Sequence, residues 1–486
     1  MYRSVDKRKQ TIRLVLIYTV VPILVAVFVT LMVLYMIGYR FNSSDASLSQ
    51  GGLLQLASRP SGARVSIDGA TLSGRTNTRH NITAGTHTVL FERDGYVPWQ
   101  KSVSIKPGQV LWLNYAWMIP EKLSRQTLHT YPAVYQALAH PDSRQLLVLA
   151  DRSKPTLDVI RADNGRAPRR SVEIPATVYD PAAGATLELV EWSGDGRRAL
   201  VRVVKADVDD EWLLVDVKRP NETRNISRIV ERPITSAVVD TTDSSRVYVL
   251  SDAAIRRIDS GAQTMSVPLA RNVVSIAQSH DGVVTYTTSR AKDTSQRTVG
   301  YITPGAKTGK TLRVFIDDGS IRLSARIGKY SDQEYVAVLY GRSLEIGALD
   351  LVSSDDSAEL RAYNLATLAV PAETSSIDFS PTSRFVLTRA GNTYATYDIE
   401  LAKFTNTTLK GTASKTAQLG WLDDTHLWSG RDDEVVVYEF DGENPREIMP
   451  IAPRTQPVLS DNGKYLYSIA RADDGKLRVL RTQLVP

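Results

Sequence analysis

Two hydrophobic rhythms divide this chain. From Leu14 to Gly38 the residues are almost all apolar and none is charged, and Arg13 and Arg40 bracket the run. About 25 residues at 1.5 Å rise make a helix of roughly 38 Å, enough to cross a hydrocarbon core of about 30 Å. The buried helix of a soluble domain keeps a polar face, which this run lacks. Its Leu, Ile, Val and Phe side chains favour insertion by more than Pro22 opposes it. The pattern predicts a transmembrane helix over residues 14–38. A cleaved signal peptide fits less well, because the apolar region is long and the YRFNSSDASLSQ that follows (residues 39–50) has no Ala-x-Ala-like site.

Beyond a Ser- and Asn-rich linker (residues 39–51), the period falls to two. Short alternations such as LLQLAS, ARVSIDG, HTVLFERDGY, QKSVSIKPGQ and VLWLNYAWM are separated by turn residues, which predicts a small all-β domain over residues 52–120. From residue 121 to 486 a longer repeat takes over: an apolar strand, a polar turn, a second strand and a third. The turns are His140-Pro-Asp-Ser-Arg144, Ser193-Gly-Asp-Gly-Arg197, Thr242-Asp-Ser-Ser-Arg246, Ser279-His-Asp-Gly282, Tyr330-Ser-Asp-Gln333, Ser380-Pro-Thr-Ser-Arg384, Leu422-Asp-Asp-Thr425 and Leu459-Ser-Asp-Asn-Gly463. Their starts lie 37 to 53 residues apart, a period that points to a β-propeller. Counting turns gives eight blades; seven follow if one turn belongs to an insertion. The last repeat stops after its third strand, so the segment Lys122 to Thr130 is expected to supply a fourth and close the ring.

The small domain resembles a known family. Pro60-Ser61-Gly62-Ala63 is followed by Val65, Ile67 and Asp68-Gly69, then Gly85-Thr86-His87-Thr88-Val89, Asp94-Gly95-Tyr96, and Val103-x-Ile105 before Pro107-Gly108. This series resembles the PEGA domain, named for a Pro-Glu-Gly-Ala motif, with Ser61 in place of Glu. The chain departs from the family at Gly74-Arg75-Thr76-Asn77, where Gly-x-Thr-Pro is usual. Pro60, Gly62, Ala63, Asp68, Gly69, Gly85, Gly95 and Tyr96 are read as structural motif residues, the glycines lying where hairpins reverse. Tyr96 and Trp99 are expected to plug one end of the core. The resemblance implies an extracytoplasmic binding or spacer module of bacterial or archaeal surface proteins, and no catalytic residue. The repeat turns in turn resemble those of TolB-like and WD-type β-propellers, without a regular Trp-Asp signature.

Charge adds an orientation. Of the formal net charge of +6, residues 1–13 hold +4, from Arg3, Lys7, Arg8, Lys9 and Arg13 against Asp6. This basic tail should remain cytoplasmic, with everything after the helix extracytoplasmic. The remainder is nearly neutral, which gives no reason to expect a nucleic-acid partner. The absence of cysteine excludes disulfides, thiolate metal sites and cysteine nucleophiles, and suits a bacterial envelope better than a eukaryotic secretory route. The sequons at Asn42, Asn81, Asn221, Asn225 and Asn406 then carry little weight.

Candidate chemistry is sparse. The carboxylate groups at Asp209-Asp210-Glu211, Asp317-Asp318, Asp355-Asp356, Asp423-Asp424, Asp432-Asp433-Glu434 and Asp473-Asp474 fall at predicted strand ends, where Asp serves turns. His80, His87, His129, His140, His280 and His426 show no metal-binding spacing. Pro304 to Thr311 approximates a phosphate loop but is one residue short and lies between strands. No Gly-x-Ser-x-Gly occurs. Trp192 and Trp421, at equivalent positions before a turn, are expected to fill wedges between blades rather than form a binding rim. The expectation is therefore no enzyme, no cofactor and no metal. The chain reads as a single-pass, membrane-anchored binding or scaffolding protein for envelope proteins or cell-wall glycan. The competing reading is a propeller hydrolase or lyase acting on envelope polysaccharide, marked by ionisable side chains converging at the central channel.

Overall fold

The computed structural model describes residues 7–36, 39–42, 47–140, 145–163, 166–181, 184–350, 363–371, 374–409 and 418–485. It comprises two compact units, Met1–Lys122 and Leu123–Pro486.

The first unit opens with the helix Lys7–Met36, continuous through Pro22. Its stretch Val15–Leu34 has a mean hydropathy of 2.7, is long and apolar enough to cross a membrane, and buries none of its side chains in the protein. The threonine hydroxyls of that stretch are satisfied locally: Thr19 Oγ1 donates to Val15 O at 2.7 Å and Thr30 Oγ1 to Ala26 O at 2.8 Å. Within the expected linker, Tyr39–Asn42 pairs antiparallel with Ser47–Gln50.

Two sheets follow. One holds Thr78–Ile82, Gly52–Arg59 and Val110–Trp117 in that order, the last two strands parallel. The other holds Ala70–Arg75, Arg64–Ile67, Gly85–Glu92 and Trp99–Ile105. The period-two pattern sends Leu54, Leu56, Val65, Val89, Phe91, Val103 and Leu113 into a shared core. Tyr96 and Trp99 join it, and Trp99 stacks on Phe91 at 4.8 Å.

The second unit is a succession of antiparallel meanders. Among the described residues it contains eight sheets, each built around four strands. Their first strands are Gln136–Ala139, Thr186–Trp192, Ser236–Val239, Val273–Gln278, Leu323–Tyr330, Ser376–Phe379, Leu419–Trp421 and Val458–Leu459. The eighth sheet is completed from the other end of the unit: Arg125–Tyr131 pairs with Leu477–Gln483, which pairs with Tyr465–Arg471. Each apolar cluster spans two successive sheets, and one joins the eighth to the first through Tyr467, Ile469 and Val479 against Leu146, Val148 and Ile160. The seventh meets the eighth where Ala452 N donates to Ile469 O at 2.6 Å and Ser468 Oγ to Pro450 O at 2.7 Å. The result is a closed, propeller-like ring.

The repeated turns share one hydrogen bond. Ser193 N donates to Arg198 O at 2.8 Å, and His140, Asp240, Ser279, Ser380, Leu422 and Ser460 make the equivalent bond. The turn arginine reaches across its own sheet. Arg197 pairs with Asp216 at 2.9 Å and Arg384 with Asp398 at 2.7 Å, each aspartate closing the third strand of the same sheet. Those carboxylates also accept the backbone N–H groups of the next turn, Lys218 and Arg219 on Asp216, Glu400 and Leu401 on Asp398. Tyr330-Ser-Asp-Gln333 differs, being a two-residue hairpin with Ser331 and Asp332 both at positive φ.

Candidate functional site: a cavity in the ring channel

First strands of successive sheets approach one another and so line the channel. Side chains tie them together. Gln136 bridges to Leu189, donating to its carbonyl at 2.8 Å and accepting its N–H at 2.9 Å; Gln278 Nε2 donates to Val239 O at 2.6 Å; Ala139 N donates to Gln456 Oε1 at 2.9 Å. Glu191 belongs to this lacing, accepting Val239 N at 2.8 Å. Burial pushes the Glu191 carboxyl up to about 7, against the pull of that N–H.

A cavity of about 450 Å³ opens in this wall, lined by His140 of the first sheet, Asp378 and Arg389 of the sixth, Gln418, Trp421 and Trp428 of the seventh, and Gln456 ahead of the eighth. It lies where the inner strands are shortest, three residues at Leu419–Trp421 and two at Val458–Leu459. Asp378 is solvent-exposed yet has protein packed closely around it, and that desolvation raises its pKa above the ordinary carboxylate value; Arg326 nearby and the Phe379 N–H at 2.9 Å pull the other way. Two buried polar atoms of the lining residues, Gln418 Oε1 and Trp421 Nε1, have no hydrogen-bond partner among the described residues.

Among the described residues, the carboxylate groups singled out in the sequence do not line this cavity. Asp317 and Asp318 accept the N–H groups of Gly319 and Ser320, Asp423 those of Thr425 and His426, Asp424 that of Thr382 and Asp474 that of Lys476. Asp432 and Asp433 form a turn at positive φ, and Glu211 pairs with Lys205 at 2.9 Å. Asp355-Asp356 lies outside the described residues. Pro304 to Thr311 joins the strands Gln296–Ile302 and Lys310–Ile316 of one sheet, a hairpin with no helix to receive phosphate. The two tryptophans diverge. Trp192 is core, with His140 edge-on at 5.3 Å, whereas Trp421 packs at 5.9 Å from Phe385 and also lines the cavity, because the short inner strands leave it uncovered. Asp378 was missed; its only signal is a lone acid at an alternating position of Ser376–Phe379. For cations, the described residues offer one grouping, Glu439, Asp441 and Glu443, with oxygens within 4.8 Å of one another.

In the first unit several motif residues sit in turns and make local contacts. Thr76, from the segment that departs from the family pattern, locks the Pro60-to-Ala63 turn: its Oγ1 accepts Ala63 N at 2.9 Å and lies 2.6 Å from Ser58 Oγ. Asp68 and Gly69 are both at positive φ, as a two-residue hairpin turn requires, and Asp68 accepts Thr88 N at 2.8 Å. Gly95, at φ 79°, turns the chain ahead of Tyr96. Residues 52–119 match the PEGA domain. No curated protein matches the sequence. Among solved structures, the β-propeller domain of Cps50 (Swd1) from Myceliophteria thermophila is similar at 11% identity over 63% of this chain and 96% of that one, with a TM-score of 0.42. An oligogalacturonate lyase in complex with manganese is similar at 11% identity over 75% and 98%, with a TM-score of 0.41. PorZ of Porphyromonas gingivalis is similar at 12% identity over 72% and 43%, with a TM-score of 0.39. The region that matches the PEGA domain is followed in the chain by the ring of eight sheets, and distant likenesses of this kind assign no activity.

Proposed function

We propose that the chain is a single-pass membrane protein of the bacterial envelope, N-terminus inside, whose PEGA domain and eight-bladed, TolB-like propeller bind and scaffold envelope proteins or cell-wall glycan outside. The observation that carries this reading is the pairing of an apolar helix, uncovered by the protein on every side, with a ring whose inner strands are laced by side chains. Such a ring holds its loops fixed for a partner. Five basic residues before the helix, against Arg40 just after it, support the orientation. Proximity labelling in intact cells from a tag after Pro486, with protease accessibility as the topology control, tests it. An accessible tag that repeatedly labels a small set of envelope proteins supports the scaffold; a protected tag removes the extracytoplasmic reading.

A second reading, a hydrolase or lyase on envelope polysaccharide, draws on one observation: His140, Asp378 and Arg389 line one cavity. Polysaccharide turnover by the purified chain that disappears in Asp378→Asn would favour it over scaffolding.

A further inference from the structure

The three-stranded sheet of the PEGA domain carries a second concavity, also of about 450 Å³, on its outward face. The register places Gln55 of the central strand opposite Arg79 on one side and Trp112 on the other. Because Leu54, Leu56 and Leu113 point into the core, their alternates Gln55, Trp112 and Asn114 point away from it, and Asn77 lines the same hollow. Trp112 is 51% exposed, whereas Trp99 and Trp117 of the same domain are 2% and 8% exposed. A half-exposed indole flanked by amides is an unspent platform for an apolar ring face.

The chemistry around that platform is selective. The residues lining the hollow include three amide side chains and no carboxylate. Amides both donate and accept, as vicinal hydroxyls do, while the C–H face of a sugar ring suits the indole. The side chain of Arg79, also in the lining, makes no ion pair or hydrogen bond among the described residues, leaving one guanidinium for a carboxylate. With strands about 4.8 Å apart, Arg79 and Trp112 stand about 10 Å from each other, so a ligand that reaches both spans more than one sugar ring. We propose that this face binds a carboxylated polysaccharide, with Trp112 stacking on one sugar, Arg79 pairing with the carboxylate of a neighbouring one, and Gln55, Asn77 and Asn114 holding hydroxyls. A single cation is too little charge for nucleic acid or an anionic membrane surface.

The inference rests on the binding role proposed above and names a ligand class for it. Its test is retention of the purified full-length chain, in detergent, on sensors coated with polygalacturonate, alginate, hyaluronan or neutral dextran. The expected result is retention on at least one carboxylated polymer and not on dextran, weakened about tenfold or more by Trp112→Ala and about tenfold by Arg79→Gln. Val267→Ser, at a position of the second unit that is 74% exposed and lines neither cavity, should leave it unchanged. Both PEGA-domain substitutions are at exposed positions, and matched melting curves confirm that the variants fold. No retention on any of the three acidic polymers, equal retention on dextran, or binding indifferent to Trp112→Ala would overturn the proposal. The assay is independent of topology and of cellular partners, so its failure leaves the labelling result standing, and the reverse holds too.

Discussion

Glu191 shows how a single side chain couples the channel wall to pH. Its carboxyl rises from an ordinary 4.5 to about 7 through burial, so between those values the folded chain holds a proton that the unfolded chain has released. Stability from this group is therefore fully present below about pH 4.5 and falls as pH climbs toward 7, by roughly 3 kcal/mol in all. Glu191→Gln keeps an acceptor for Val239 N and removes the titration. Melting curves from pH 4.5 to 8 should show the variant gaining on the parent as pH rises, and parallel curves would refute the coupling. Neither Glu191 nor Asp378 could be found from sequence, because a lone acid in an alternating strand reads as a solvent position. Only ring closure turns that side toward a channel. The acidic pairs were conspicuous for the opposite reason: turns concentrate Asp, and Asp423 illustrates it by holding the N–H groups of Thr425 and His426.

Strands and turns were the most legible level, since their determinants are local. Ser193, Ser380 and Ser460 each accept a backbone N–H across the turn, so the Ser at the head of the repeat turn has a direct geometric meaning. The third strands that the repeat predicts after each polar turn are found, for example, at Glu211–Asp216 in the second sheet and Thr393–Asp398 in the sixth. Less legible was the hairpin inside residues 39–50, where Ser and Asn gave only the composition of a spacer. The closing strand followed from arithmetic: a final repeat one strand short needs a donor from elsewhere. That closure is open to a direct test, because the chain has no native cysteine. Gln126 and Arg481 are register partners and share a hydrogen bond at 2.6 Å. The double variant Gln126→Cys, Arg481→Cys should cross-link on oxidation, run faster on a non-reducing gel, and resist unfolding by up to about 5 kcal/mol more than its reduced form. Failure to cross-link would show that the two strands do not meet.

For the whole molecule, the helix and the β-sheet regions are separable in kind: one presents apolar side chains on every side, the others keep most of theirs inside. The full chain should stay with membranes through an alkaline carbonate wash, while a chain lacking residues 1–38 appears in the soluble fraction with an unchanged melting curve. Release of the full chain by the wash would refute the anchor. The seam between Arg125–Tyr131 and Leu477–Gln483 also imposes an order of events during synthesis. A nascent chain exposes the first of these strands long before its partner has been made, and until then an unpaired edge waits. Translation stopped short of residue 477 would yield finished sheets with no finished ring. A closed ring thus certifies that synthesis has passed residue 483, and a quality-control protease needs only an open strand edge to recognise a copy interrupted before it.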